Sequence, residues 1–185
     1  LLPFFYSLCI LCFIMKLGFI GTGNITVAVV NGICGSKISF KKILVSPRNK
    51  RNALKLSKKF KKVSIAKTNQ EIVDKCNWIF LAVTPKIGEK ILPELNYRSS
   101  QIIINFISTI GNSQLKKYVK VKAKIVRALP LPPIALRKGP VPICPANKKV
   151  KNFFNHLGTA VEISDEKLFT NFWCMTAMMA PYYEM

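Results

Sequence analysis

One stretch constrains this chain more than any other: Lys16-Leu17-Gly18-Phe19-Ile20-Gly21-Thr22-Gly23-Asn24-Ile25-Thr26. A short apolar run ends in a glycine turn and passes at once into a helical pattern. Such a turn leaves the helix N-terminus open, so its free N–H groups and its dipole favour an anion. A backbone without Cβ atoms also lets a dinucleotide pyrophosphate come close. Gly21 is expected to make the tight turn and Gly23 to make room for phosphates. Thr22, Asn24 and Ile25 complete the candidate cradle, mainly through backbone N–H groups. The third small position of the fingerprint is Thr26, a bulkier residue than Gly or Ala. Turns use glycine everywhere, so the pair alone decides little. The context carries the reading: a strand pattern before, a helical pattern after (Ile25, Val29, Val30, Ile33) and further strand–helix alternation.

That alternation continues along the chain. Lys42–Ser46 reads as a second strand and Asn49–Lys62 as a helix with an apolar stripe of Ala53, Leu54, Leu56 and Phe60. A short strand at Val63–Ala66 precedes a brief helix that Asn69-Gln70-Glu71 can cap and open. Trp78–Val83 is an unbroken apolar run, as a strand covered on both faces of a parallel sheet requires. Pro85 is placed to start a helix through Leu92. Gln101–Ile107 and Lys124–Ala128 read as strands around a helix at Ser113–Val119. Leu129–Pro145 is proline-rich and reads as loop, with a strand at Val141–Cys144. A helix at Asn147–Leu157 and a strand at Thr159–Ile163 follow. The predicted architecture is α/β, a doubly wound and mostly parallel sheet, with ligand at the carboxyl ends of the strands. A new helix begins at Ser164-Asp165-Glu166. Phe169, Phe172, Trp173, Met175, Met178 and Met179 make it apolar on most sides, so it needs a partner.

Composition narrows the function classes. The chain of 185 residues carries a net charge of +21. A balance this basic raises nucleic acid, anionic membrane or an anionic ligand as partners. Lysines are scattered over every polar face, however, and no aromatic residues interleave with them as a stacking platform would need. Abundant Lys, Asn and Ile together also fit AT-rich coding bias, and no specific nucleic-acid role is expected. Of the six cysteines only Cys9 and Cys12 form a C-x-x-C, without a partner pair, so no metal site is expected. Reduced, mostly buried thiols in a cytoplasmic protein are the simplest account. The single histidine, His156, reads as a helix-end residue.

Residues 1–14 form an uncharged apolar leader. A bilayer span needs about 20 residues. The basic segment and cleavage site of a signal peptide are missing. Met15 stands where a natural start would fall. The leader is therefore read as upstream sequence translated in frame, outside the fold, with a membrane anchor as the alternative.

The residue at the end of the second strand contacts the adenine ribose in folds of this kind, about 20 residues past the glycines. Here the segment is Val45-Ser46-Pro47-Arg48-Asn49, without a carboxylate. Ser46 can donate to a 2′-phosphate and Arg48 can pair with it on two prongs, so the expected cofactor is NADP (NADPH) rather than NAD. The alternative is that Arg48 merely begins a very basic helix.

With these residues in place, the chain resembles the pyrroline-5-carboxylate reductase family. The likeness runs from Met15 to about Ala180. It rests on MKLGFIGTGN, on VSPRN, on Phe80-Leu81-Ala82-Val83-Thr84-Pro85 and on Val126-Arg127-Ala128-Leu129-Pro130. It continues through Gly139-Pro140, Leu157-Gly158-Thr159-Ala160-Val161-Glu162 and Thr176-Ala177-Met178. The resemblance implies an NADP-binding Rossmann domain over residues 15–163. Residues 164–185 would then be the first helix of a truncated helical dimerisation domain, which forms a homodimer or larger assembly and completes the substrate pocket. It further implies hydride transfer to the C=N carbon of a small cyclic imino acid, giving proline, chemistry in which positioning dominates. Ala82, Val83 and Pro85 would line the ribose and nicotinamide side, Ala128 and Pro130 would face the nicotinamide, and Thr176 is a candidate substrate contact. No general acid is identified.

The family's A-V-K-P reads Ala82-Val83-Thr84-Pro85, and its M-P-N-T-P loop reads Leu129-Pro130-Leu131-Pro132-Pro133. Its S-G-S-G-P-A-Y segment is represented by Ala177–Tyr183, with no serine and no glycine. These losses point to a less polar substrate pocket, or to an NADP-binding sensor without turnover.

Overall fold

The computed structural model describes residues 15–179. Their elements follow in the order β1 (Met15–Ile20), α1 (Asn24–Cys34), β2 (Phe40–Val45), α2 (Lys50–Lys59), β3 (Val63–Ile65), α3 (Asn69–Lys75), β4 (Trp78–Leu81), α4 (Pro85–Ile91) and β5 (Ile102–Asn105). Then come α5 (Asn112–Val119), β6 (Lys124–Ala128), β7 (Pro140–Cys144), α6 (Lys148–Asn155), β8 (Thr159–Glu162) and α7 (Glu166–Met179). The described strands form one eight-stranded sheet in the order β3-β2-β1-β4-β5-β6-β7-β8. Every neighbouring pair is parallel except β6 and β7. The exception has a local cause. A parallel neighbour needs a long crossover, usually helical. Between β6 and β7 the prolines allow only a 3-10 turn at Pro132–Leu136, so the chain returns antiparallel.

Alternation along the strands builds the two faces of the sheet. Leu17 and Phe19 of β1, Trp78 and Phe80 of β4, and Ile102 and Ile104 of β5 pack on one side with α1, α2 and α6. Phe19 stacks on Phe80 with ring centroids 4.4 Å apart, and Phe153 of α6 closes on Phe80 at 5.7 Å. Ile20, Ile79, Leu81 and Ile103 point to the other side, against Ile72 and Val73 of α3 and Leu115 and Val119 of α5. Continuous apolar strands are what burial of both faces demands.

Helix ends follow side-chain chemistry. Asn49 caps α2 by accepting the Asn52 N–H at 3.2 Å. At α3 the cap is Thr68, not Asn69: the Thr68 hydroxyl accepts the Glu71 N–H at 3.1 Å, and Glu71 reaches back to the Lys67 N–H at 2.6 Å. Asn69 is thereby freed for another use. The proline-rich segment packs against α1. A Cβ at Gly32 would lie 2.4 Å from the Ile134 carbonyl oxygen, so only glycine admits this approach. Arg137 then donates to the Gly35 carbonyl at 2.7 Å, placing a cation at the C-terminus of α1.

Phe169 holds α7 to the sheet by packing with Leu129, Cys144 and Ile163. Leu168 and Phe172 stay exposed. Among the described residues no helix is long and apolar enough to cross a membrane. The apolar leader lies outside the described residues, as do the side chains of Trp173, Met175, Thr176, Met178 and Met179.

The four described cysteines are free. Burial pushes the Cys76 thiol up to about 12 and that of Cys34 up to about 11. The unfolded chain therefore releases thiol protons at lower pH than the folded one, and stability is expected to fall as pH rises above 9. Alkylation with iodoacetamide at pH 8 should label exposed Cys174 before Cys34, Cys76 and Cys144. Peptide mapping checks the order, and early labelling of Cys76 would contradict the packing.

Candidate nucleotide site

The strand order reverses at β1, which has β2 on one side and β4 on the other. The chain winds outward through β2 and β3, then returns to β4. Crevices open at such a switch point, outside the carboxyl ends of the strands. A cleft of about 590 Å³ lies there. Gly21, Thr22 and Gly23 line it from the turn after β1, Ser46, Arg48 and Lys50 from the segment after β2, and Ala82, Val83 and Thr84 from the loop after β4. Arg48 and Lys50 contribute positive charge, and no residue lining the cleft carries a carboxylate.

The glycine turn is held from three directions. Gly21 has φ +101°, and a Cβ there would lie 2.1 Å from the Ala82 carbonyl oxygen. Its N–H donates to the Ser46 hydroxyl at 3.0 Å. The Thr22 hydroxyl donates to the Ser46 carbonyl at 2.8 Å, and Asn52 of α2 donates to the Thr22 carbonyl at 3.0 Å. Thr26, fully buried, donates its hydroxyl proton to the Gly21 carbonyl at 2.8 Å. A threonine at the third fingerprint position is thus a clasp that closes the turn.

The turn's far side is open. A Cβ added at Gly23 would meet nothing within 4 Å, and Gly23 caps α1 without any side-chain acceptor. The first N–H groups of a helix have no intrahelical partner, so those of Asn24 and Ile25 are free for an anion. Asn69 lines the same cleft, and its buried Oδ1 has no hydrogen-bond partner. An open helix N-terminus, two cations and an orphaned acceptor fit a phosphorylated nucleotide.

The structure brings together Gly21, Thr22, Gly23, Ser46, Arg48, Ala82 and Val83 of the residues singled out in the sequence. Asn24 and Ile25 follow as the first turn of α1. Ser46 is 2% exposed and engaged with Gly21 and Thr22, so its first task is to shape the turn. Pro85 starts α4 just beyond Thr84. Ala128 is buried among the core residues and Pro130 is buried after it, and neither lines the cleft. Asn52 and Asn69 escaped the sequence reading. Asn69 carries one signal, its position as the first residue of α3, just past the loop that leaves the carboxyl end of β3. A second hollow of about 580 Å³ opens at the opposite edge, beside Met15, Trp78 and Phe153, and includes His156, the C-cap of α6. It lies at the amino ends of the strands and lacks a glycine turn. Among the described residues no cluster of metal-ligating side chains occurs.

Fold and cleft define an NADP-binding oxidoreductase domain. The pattern of the family described as NADP oxidoreductase, coenzyme F420-dependent, matches residues 16–109, and the chain belongs to that family. It is 32% identical over 130 residues to pyrroline-5-carboxylate reductase 3 of Danio rerio, covering 69% of this chain and 44% of that protein. It is 26% identical over 160 residues to pyrroline-5-carboxylate reductase of Escherichia coli, covering 81% of this chain and 59% of that one. The chain thus spans about half the length of the curated relatives it matches. Among solved structures, the Plasmodium falciparum pyrroline carboxylate reductase with NADP bound superimposes with a TM-score of 0.76 at 25% identity, over 91% of this chain and 64% of that one.

Two substitutions test this geometry. Gly21→Ala drives a methyl into the Ala82 carbonyl and imposes a strained φ, so NADPH binding should be lost, with a stability cost of about 1–3 kcal/mol. Thr26→Val removes the clasp and should cost about 1–2 kcal/mol. Urea denaturation measures both, and unchanged midpoints would refute the contacts.

Proposed function

We propose that this chain is the cofactor-binding part of an NADPH-dependent reductase that acts on the C=N carbon of a small cyclic imino acid, as in proline biosynthesis. The observation that carries it is the Gly21–Ser46–Ala82 convergence beside two cations, with no carboxylate to favour an unphosphorylated ribose. When bound, the reduced nicotinamide supplies a hydride. The chain's own residues bind and orient. Backbone N–H groups of Gly23, Asn24 and Ile25 hold the pyrophosphate, and Gly21 keeps the path clear. Arg48 pairs with the 2′-phosphate, supported by Ser46 and Lys50. Asn69 accepts from the adenosine half. Ala82, Val83 and Pro85 then border the nicotinamide half, because the adenosine half occupies the β2 side.

Residues 15–163 serve in this reading as the cofactor domain. Residues 164–185 begin a helical dimerisation domain in this reading, and Thr176 is its candidate substrate contact. Thr84 stands where the resembled family has lysine, and Leu131-Pro132 where it has Asn-Thr, so a less polar substrate is favoured. The alternative is an NADP-binding regulator without turnover. It is favoured by one observation: the residues lining the cleft include no histidine, cysteine, tyrosine or carboxylate to act as a proton donor.

Arg48→Ala should weaken NADPH about 10- to 100-fold and NADH less than about threefold, because only the 2′-phosphate loses its partner. Fluorescence titration reads both, and equal losses would refute the assignment. Turnover of NADPH with pyrroline-5-carboxylate supports the reductase; saturable binding without it, in a chain extended through the helical domain, supports the regulator.

A further inference from the structure

One buried cation is unlike the rest. Arg127, at the end of β6, is 5% exposed. Its Nη1 donates to Glu166 Oε1 at 2.9 Å, its Nη2 donates to the Ser108 carbonyl at 2.7 Å, and its guanidinium lies 4.7 Å from the centre of the Phe169 ring. Glu166 opens α7 and does a second job. The same Oε1 accepts the backbone N–H of Asn112 at 2.9 Å. Asn112 is the first residue of α5, whose N-cap, Gly111, offers no side-chain acceptor. The N-terminus of α5 is therefore capped from another helix, 54 residues along the chain. Asn112 adds a long contact from its Nδ2 to the Cys144 carbonyl at 3.4 Å. Asp165 caps the start of α7 itself through the Lys167 N–H, so Glu166 is free to face the sheet.

The chemistry of the junction is demanding. A buried guanidinium without a counter-charge is costly, and a buried pair broken on one side is strongly destabilising. An anion at a helix N-terminus is favoured by the helix dipole. A single carboxylate answers both needs, and the same helix brings the Phe169 ring against the guanidinium.

We propose that Glu166 is a positioning residue. It locks the loop after β5 (Ser108–Asn112), the end of β6 and the first turn of α7 into one unit at the carboxyl edge of the sheet. The loop after β5 stands next to the loop after β4, which borders the nicotinamide half. The α7 helix and that side of the site are thus held in one geometry, and whatever α7 carries is aimed by the same carboxylate. The consequence for turnover rests on the reductase reading; the lock itself does not.

Residue-resolved hydrogen exchange on the full chain, with NADPH titration alongside, tests the lock. Glu166→Ala should lower protection at Asn112 and in the first turns of α7 about tenfold or more, while β1, β4 and the Gly21 turn stay protected. NADPH affinity should stay within about twofold of wild type, because the cleft is untouched. Glu166→Gln keeps an acceptor for the Asn112 N–H but no charge for Arg127. It should retain protection at Asn112 and loosen α7, and it serves as the readout if the alanine variant does not fold. Under turnover, kcat should fall with KM for NADPH unchanged. Wild-type protection at both places in Glu166→Ala, or loss spread evenly over the sheet, would overturn the lock. A chain extended through the helical domain that shows the exchange pattern but no turnover would remove the reductase reading alone.

Discussion

The carboxyl edge of the sheet depends on how closely the Gly21 turn approaches the Ala82 carbonyl. No side chain fits between them, and φ at Gly21 lies where glycine is at ease. Because the two loops touch, α1 starts directly over the switch point and its N-terminus faces open space at Gly23. The clasp from Thr26 and the brace from Ser46 hold the turn in that conformation. Preorganisation of this kind spares a nucleotide the cost of ordering its own cradle.

Much of the fold was legible because its strands are short, apolar and separated by helical stripes. The helical pattern of Ile25, Val29, Val30 and Ile33 falls on α1, and the strand expected over Lys124–Ala128 coincides with β6. The glycine turn was legible for the same reason, since Gly21 and Gly23 serve needs that no other residue meets. Thr26 was less readable. As a residue type it looks like a poor match to a small position, and only the distance to the Gly21 carbonyl explains it. The end of the second strand marks Ser46 as a candidate ligand contact, whereas its second task, accepting the Gly21 N–H to brace the turn, has no local signal.

Other features had no local signal at all. Asn69 looked like a helix cap, and only the capture of that role by Thr68 leaves its carbonyl oxygen unpartnered beside the cleft. The antiparallel return of β7 follows from prolines that forbid a crossover helix, a constraint that says where a helix cannot be but not where the chain goes next. The Arg127–Glu166 pair joins residues 39 apart and the Glu166–Asn112 cap joins residues 54 apart. Tertiary placement alone brings them together, and the sheet, read strand by strand, could not announce it.

The central claim is that NADP enters the carboxyl-end cleft through the glycine turn. Amide NMR of the whole chain on addition of NADP tests it most directly. The account predicts saturating shifts at Gly21–Ile25, Ser46–Lys50, Asn69 and Ala82–Thr84, with His156 and Trp78 at the opposite edge unmoved. Shifts centred on the amino-end hollow, or no shifts in a folded chain, would contradict it.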